Sequence, residues 1–189
     1  MTCHHVIWPP GHNEPDISAV TFSFDYFPSK IYRLVDAVST RPLLRDMNAD
    51  VFFAEFTPEF IQELSAIPIS FFRIGEHSVN GFVVGHPGGQ PLQISLGRVD
   101  PLQVTSRSLR HRVSTDGGSS GSPLVNRNTN GVFAMHHGCT SNHETNVSTA
   151  LAPLIYKIFN GSFPDGFYTP FTGTYEHLGP GTPSPSFIN

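Results

Sequence analysis

The sequence is poor in cysteine, in charge and in long apolar runs. Cys3 and Cys139 are the two cysteines in 189 residues. Two thiols cannot build a disulfide framework, so the expected compartment is a reducing one inside the cell, cytoplasm or nucleus. Charged side chains make up 14% of the chain and the formal net charge is −4. With no basic run and no stripe of basic and aromatic residues, nucleic acid is excluded as the primary ligand. No apolar stretch approaches the roughly 18 residues of a spanning helix, so no membrane partner is expected. The start also lacks a charged segment leading into an apolar one, so no secretory signal is expected in it.

Turn formers are plentiful instead. Seventeen glycines and seventeen prolines, with sixteen phenylalanines, predict short strands joined by turns, an all-β chain rather than a helical bundle. Period-two alternation marks Ser18 to Phe24 and Ile31 to Val35 as strands. Pro58 to Ser78 reads as a crossover, with Glu59 to Leu64 as a helical turn inside it. Val147 to Ile158 fits a final strand or a short helix. From Gly161 onward, Pro, Gly, Ser and Thr dominate without periodicity, which predicts an extended or disordered tail.

The densest chemistry lies in Asp116-Gly117-Gly118-Ser119-Ser120-Gly121-Ser122-Pro123. Small residues crowd around serines and an apolar strand, Leu124-Val125, follows. A serine hydroxyl is a weak nucleophile that needs a base for its proton and N–H donors for the oxyanion, and glycines permit the tight backbone this demands. Gly117-x-Ser119-x-Gly121 fits an elbow that must open a helix. Pro123 and the turn Asn126 to Gly131 predict a strand and hairpin there. The alternative frame, Gly118-x-Ser120-Gly121-x-Pro123, leads into a strand and favours Ser120.

Two further segments belong with it. Thr2-Cys3-His4-His5 sets a histidine in a short apolar segment, and Asn48-Ala49-Asp50-Val51-Phe52-Phe53 puts an acid at the head of an apolar strand. Asp36 and Asp46 are weaker candidates for that acid because neither leads into so apolar a run. His86, in Gly85-His86-Pro87-Gly88-Gly89, is better explained by its turn than as a second base.

Together these motifs resemble the trypsin/chymotrypsin-fold serine peptidases of the compact, non-secreted type, over residues 1 to about 158. Gly118-Ser119-Ser120-Gly121-Ser122-Pro123 resembles the family's G-x-S-G-x-P loop, Thr2 to His5 its T-A-A-H segment, and Asp50-Val51 its acid before an apolar strand, in the family order His, Asp, Ser. The resemblance implies a double six-stranded β-barrel, with an N-terminal barrel over 1–65, a C-terminal barrel over 66–160 and a tail over 161–189. It implies Ser120 as nucleophile, His5 as base and Asp50 as its orienting acid. The oxyanion hole would be the N–H groups of Gly118 and Ser120. The chemistry calls for no metal or organic cofactor, and the partner is a protein or peptide substrate.

Gly131 to Cys139 resembles the strand that walls the family's specificity pocket. Ser114 would lie at the pocket floor, with Phe133, Ala134, Met135 and His136 beside it, so an apolar or aromatic P1 residue is expected. His136 at the mouth is the feature that would instead favour an acidic or amide P1. Three departures stand out. Ser119 occupies the place where secreted zymogens carry aspartate, so the loop is expected to form without an activating salt bridge. Val6 replaces the cysteine after the histidine. The family's strands ahead of the histidine are missing, so the first barrel is expected to be incomplete, with a further N-terminal segment in a larger protein. Two other classes remain open at this point. One is a catalytically silent peptide-binding domain, and the other a zinc module built on His136, His137, Cys139 and His143.

Overall fold

The computed structural model describes residues 1–13, 20–24, 33–36, 41–56, 79–100, 108–142 and 144–158. The expected crossover after Pro58, the tail after Gly161 and both inter-domain boundaries lie outside these residues.

The described residues are mostly strand. Residues up to 56 contribute two antiparallel pairs, β1 (Thr21–Phe24) with β2 (Arg33–Asp36), and β3 (Arg41–Asp46) with β4 (Val51–Glu55). The register of the second pair shifts between Pro42 and Leu44, where proline has no N–H to give to the ladder. Six further strands close into an antiparallel barrel: β5 (Val79–Gly85), β6 (Gln93–Asp100), β7 (Ser108–His111), β8 (Pro123–Asn126), β9 (Val132–Cys139) and β10 (Asn146–Ala150). Around the barrel they run β10-β7-β6-β5-β8-β9, and closure leaves no strand edge unpaired. The fold is thus all-β with a closed six-stranded barrel.

Sequence pattern accounts for the strands. In β5 the buried positions alternate, Gly81, Val83 and Gly85 facing inward, as period two requires. β9 differs, because Val132 to His136 are all buried, the signature of a strand covered on both faces. Phe133 and Ala134 join the barrel core with Val83, Val99, Leu109 and Leu124. Val132 and Met135 join a second core with Cys3, Val51, Phe53 and Leu151. Each large apolar side chain so buried is worth about 1.5–3 kcal/mol. This second core fixes the N-terminal segment against the barrel.

Two expectations are refined. The family's histidine segment, which Thr2 to His5 resembles, ends a strand, but here only Thr2 is strand-like, bridging Phe52, and His4–Ile7 form one helical turn, α1. Val147 to Ile158 holds both alternatives in succession, the end of β10 and then helix α2 (Ala152–Ile158). Among the described residues no helix is long and apolar enough to cross a membrane.

Candidate active site

Three segments far apart in the chain converge at the second core. Thr2 and Phe52 exchange backbone hydrogen bonds of 2.9 and 2.8 Å, and the N–H of His4 donates to the carbonyl of Asp50 at 3.2 Å. The chain start is thereby zipped onto the head of β4. Asp50 has a positive φ of 52°, a left-handed conformation that aspartate tolerates better than most residues. Its carboxylate then meets α1 twice, accepting the backbone N–H of His5 at 2.9 Å and facing His5 Nδ1 at 2.6 Å. On the other side of the ring, Nε2 lies 3.0 Å from Ser120 Oγ. In the tautomer that donates from Nδ1 to Asp50, Nε2 carries the lone pair that accepts the serine proton.

The serine loop is held by its own backbone and by β9. Ser119 N–H donates to Asp116 O at 2.9 Å, Gly121 N–H to His136 O at 2.8 Å and His136 N–H to Ser122 O at 2.9 Å. Gly118 and Gly121 both have φ of +89°, a region open to glycine at little cost. At Gly121 a Cβ would come within 2.7 Å of Thr2 Oγ1, so glycine here also lets the histidine segment approach the serine. Among the described residues, the N–H groups of Gly118 and Ser120 have no acceptor. They are the two donors expected to form the oxyanion hole. The two serines differ plainly. Ser119 is buried with its Oγ accepting the Asp116 N–H, whereas Ser120 is half-buried and meets His5. The residue after the loop opens strand β8 rather than a helix, which the elbow reading of Ser119 required.

The specificity residues do not gather in one cavity. Ser114 is exposed and lines a cavity of about 260 Å³ with Gln93, Ser95, Thr115 and Asp116. Phe133 and Ala134 lie in the barrel core and Met135 in the second core. His136 is buried, its Nδ1 has no hydrogen-bond partner, and its ring packs edge-on against buried His111 at 5.5 Å. Burial is the largest cause that lowers both histidines, His136 to about 4 and His111 to about 3, so both rings are neutral at pH 7.

The remaining candidates have local roles. His86 Nδ1 lies 3.0 Å from the Gln90 carbonyl, across the turn of Pro87–Gly89. Asp46 Oδ1 accepts the N–H groups of Asn48 and Ala49, shaping the turn before Asp50. Asp36 ends β2. Of the zinc-module residues, His143 lies outside the described residues. The one metal-competent cluster among the described residues is a different set, Cys3, His5 and Asp50, with ligand atoms within 4.8 Å of one another.

Sequence reasoning missed several supports. Cys3 Sγ donates to His136 O at 3.2 Å, and Thr149 Oγ1 donates to Ala49 O at 2.6 Å. His137 Nδ1 stands 3.9 Å from Asp50 Oδ2. His4, beside the base, stacks on Trp8 at 4.9 Å and accepts a hydrogen bond from Arg45 Nε at 3.0 Å. None of these follows a local motif; the adjacent histidines His136-His137 were the only visible signal.

Comparison with known proteins agrees with this architecture. The model of the trypsin-like peptidase domain matches residues 1–135. A glutamyl endopeptidase of Staphylococcus epidermidis is 34% identical over 96 residues, spanning 49% of this chain and 32% of that protein. The chain therefore spans about a third of the length of that curated relative. Among solved structures, the serine protease domain of the Sesbania mosaic virus polyprotein aligns with a TM-score of 0.60 and 16% identity, over 84% of this chain and 77% of that one. Glu endopeptidase in complex with MPD aligns with a TM-score of 0.53 and 16% identity, over 84% of this chain and 78% of that one. At such identities these structures speak for the fold alone. The family match over residues 1–135 covers most of the sequence, and by it the chain belongs to the trypsin-like peptidase domain family.

Proposed function

We propose that the chain is a serine endopeptidase that cleaves protein or peptide substrates through Ser120, His5 and Asp50. The observation that carries the reading is the relay Asp50 Oδ2 to His5 Nδ1 at 2.6 Å and His5 Nε2 to Ser120 Oγ at 3.0 Å. In this reading Ser120 Oγ attacks the scissile carbonyl as its proton passes to His5 Nε2, and Asp50 stabilises the imidazolium. The N–H groups of Gly118 and Ser120 take the oxyanion, and removing one such donor costs about 10²–10³ in rate. His5 then protonates the leaving amine, leaving an acyl-enzyme on Ser120 that water hydrolyses by the reverse proton route. A fluorophosphonate should label Ser120 in the native chain and leave Ser120→Ala unlabelled. A silent peptide-binding domain would label in neither.

For the P1 side chain we favour an acidic or amide residue over the apolar or aromatic one that the resemblance implies from Ser114, Phe133 and Met135. Phe133 and Met135 are occupied in the cores, whereas His136 adjoins the serine loop with an unpartnered ring nitrogen. The name of the Staphylococcus epidermidis relative, glutamyl endopeptidase, points the same way. A peptide series varied only at P1 (Glu, Gln, Phe, Lys) tests this, with Glu fastest expected and Phe fastest overturning it.

The finer architecture is part of the same proposal. A double barrel, with one barrel over 1–65 and the other over 66–160, is supported by the two strand pairs and the one closed barrel among the described residues. An intracellular location is supported by cysteine content, since neither Cys3 nor Cys139 is in a disulfide.

A further inference from the structure

Behind the proposed relay, Cys3 and His137 add two metal-type donors that peptide hydrolysis does not use. Cys3 Sγ is fully buried against Asp50 and His5, and the ligand atoms of all three lie within 4.8 Å of one another. A fourth donor, His137 Nδ1, faces the same Asp50 oxygen from 3.9 Å. Thiol, two imidazoles and a carboxylate are the ligand types of a four-coordinate zinc-like ion. Bond lengths of about 2.0–2.3 Å place tetrahedral ligands roughly 3.3–3.8 Å apart, a spacing close to the 3.9 Å between His137 and Asp50 and within the 4.8 Å that bounds Cys3, His5 and Asp50. The approach is open on one side, since His5, Asp50 and His137 side chains are 38%, 22% and 28% exposed.

We propose that Cys3, His5, Asp50 and His137 form an inhibitory site for a borderline or soft divalent cation such as Zn²⁺ or Cd²⁺. Binding deprotonates the Cys3 thiol, whose proton goes to solvent, and forms the sulfur–metal bond. The ion takes the Nδ1 lone pair of His5, so the ring's single proton moves from Nδ1 to Nε2. No electrons are transferred. Metallated His5 then presents an N–H to Ser120 where it had offered a lone pair, and it cannot accept the hydroxyl proton. Asp50 is drawn to the ion and no longer orients the base. The inhibition rests on the function proposed above, while the metal site itself does not.

The test is a Cd²⁺ titration of the full chain carrying Cys139→Ala, so that Cys3 is its one thiol. A thiolate-to-cadmium charge-transfer band should grow to one equivalent, and activity on a peptide substrate should fall with occupancy and return on adding EDTA. Adding Cys3→Ala or Cys3→Ser should abolish the band and the metal sensitivity while the far-ultraviolet circular dichroism stays native. His137→Ser should weaken apparent affinity by at least about tenfold, the scale seen when even an outer-shell partner is lost. A band that survives the loss of Cys3, or a saturated site with undiminished turnover, overturns the proposal. If the metal-free chain hydrolyses nothing, the peptidase reading fails by itself and the band alone decides whether the site binds metal.

Discussion

The strand pairs before residue 56 and the barrel after residue 79 are held together in different ways. In the barrel, each strand pairs with neighbours on both sides, and the serine loop is stapled to β9 by reciprocal bonds between Gly121, Ser122 and His136. The N-terminal part supplies the proposed base and acid from a single helical turn and the head of a two-stranded pair. Among the described residues its polar ties to the barrel are Cys3 to the His136 carbonyl, Thr149 to the Ala49 carbonyl and the close pass of Thr2 under Gly121, beside the apolar packing of the second core. The proposed nucleophile is thus placed by a closed sheet and the proposed base by a shared core and a few polar contacts, so changes to those contacts should alter the reaction before they alter the barrel.

The largest expected effects remove the relay itself. Ser120→Ala should lower kcat by on the order of 10⁶-fold, and Asp50→Asn by about 10⁴-fold, because His5 then loses its tautomer. Steady-state peptide hydrolysis measures both, with native circular dichroism as control. Next comes the contact between the two regions. Gly121→Ala forces a Cβ to within 2.7 Å of Thr2 Oγ1 at φ +89°, a strain of about 1–3 kcal/mol. It should reduce kcat/KM more than it reduces barrel stability, judged by hydrogen exchange in β5 to β9. If exchange across those strands rises as much as activity falls, the contrast between the regions is wrong.

These predictions lean on positions of unequal visibility in the sequence. Ser120 and Asp50 were legible because each sits beside a local necessity, glycines that must adopt φ > 0 and an apolar strand that must start after a turn. The order of His5, Asp50 and Ser120 was likewise on the surface of the sequence. The helical turn of α1 was not, since His4-His5-Val6-Ile7 is too short for periodicity to separate helix from strand. Phe133 and Met135 looked like pocket walls because nothing local reveals that β9 is buried on both faces. The approach of Cys3 and His137 to Asp50 is purely tertiary, created where β9 and the chain start share one core.

Smaller effects probe the supports. Thr149→Val removes the donor to the Ala49 carbonyl and should cost about 1–3 kcal/mol for leaving a buried acceptor unpaired, read by denaturant unfolding. The buried histidines give a pH signature. The pKa of His111 falls from 6.5 to about 3 in the folded chain, so the unfolded chain binds more protons between those values. Stability is then at its full level above pH 6.5 and declines as pH falls towards about 3, at up to about 1.4 kcal/mol per pH unit for one group. His111→Leu should flatten that acid limb, and an unchanged limb would show that other groups set it.

The most direct test of the central claim is to trap the acyl-enzyme. On mixing with a peptide p-nitrophenyl ester, intact mass should rise by one acyl group, peptide mapping should place it on Ser120, and His5→Ala should slow its formation by orders of magnitude. An acyl group on another residue, or formation at the native rate without His5, would contradict the account.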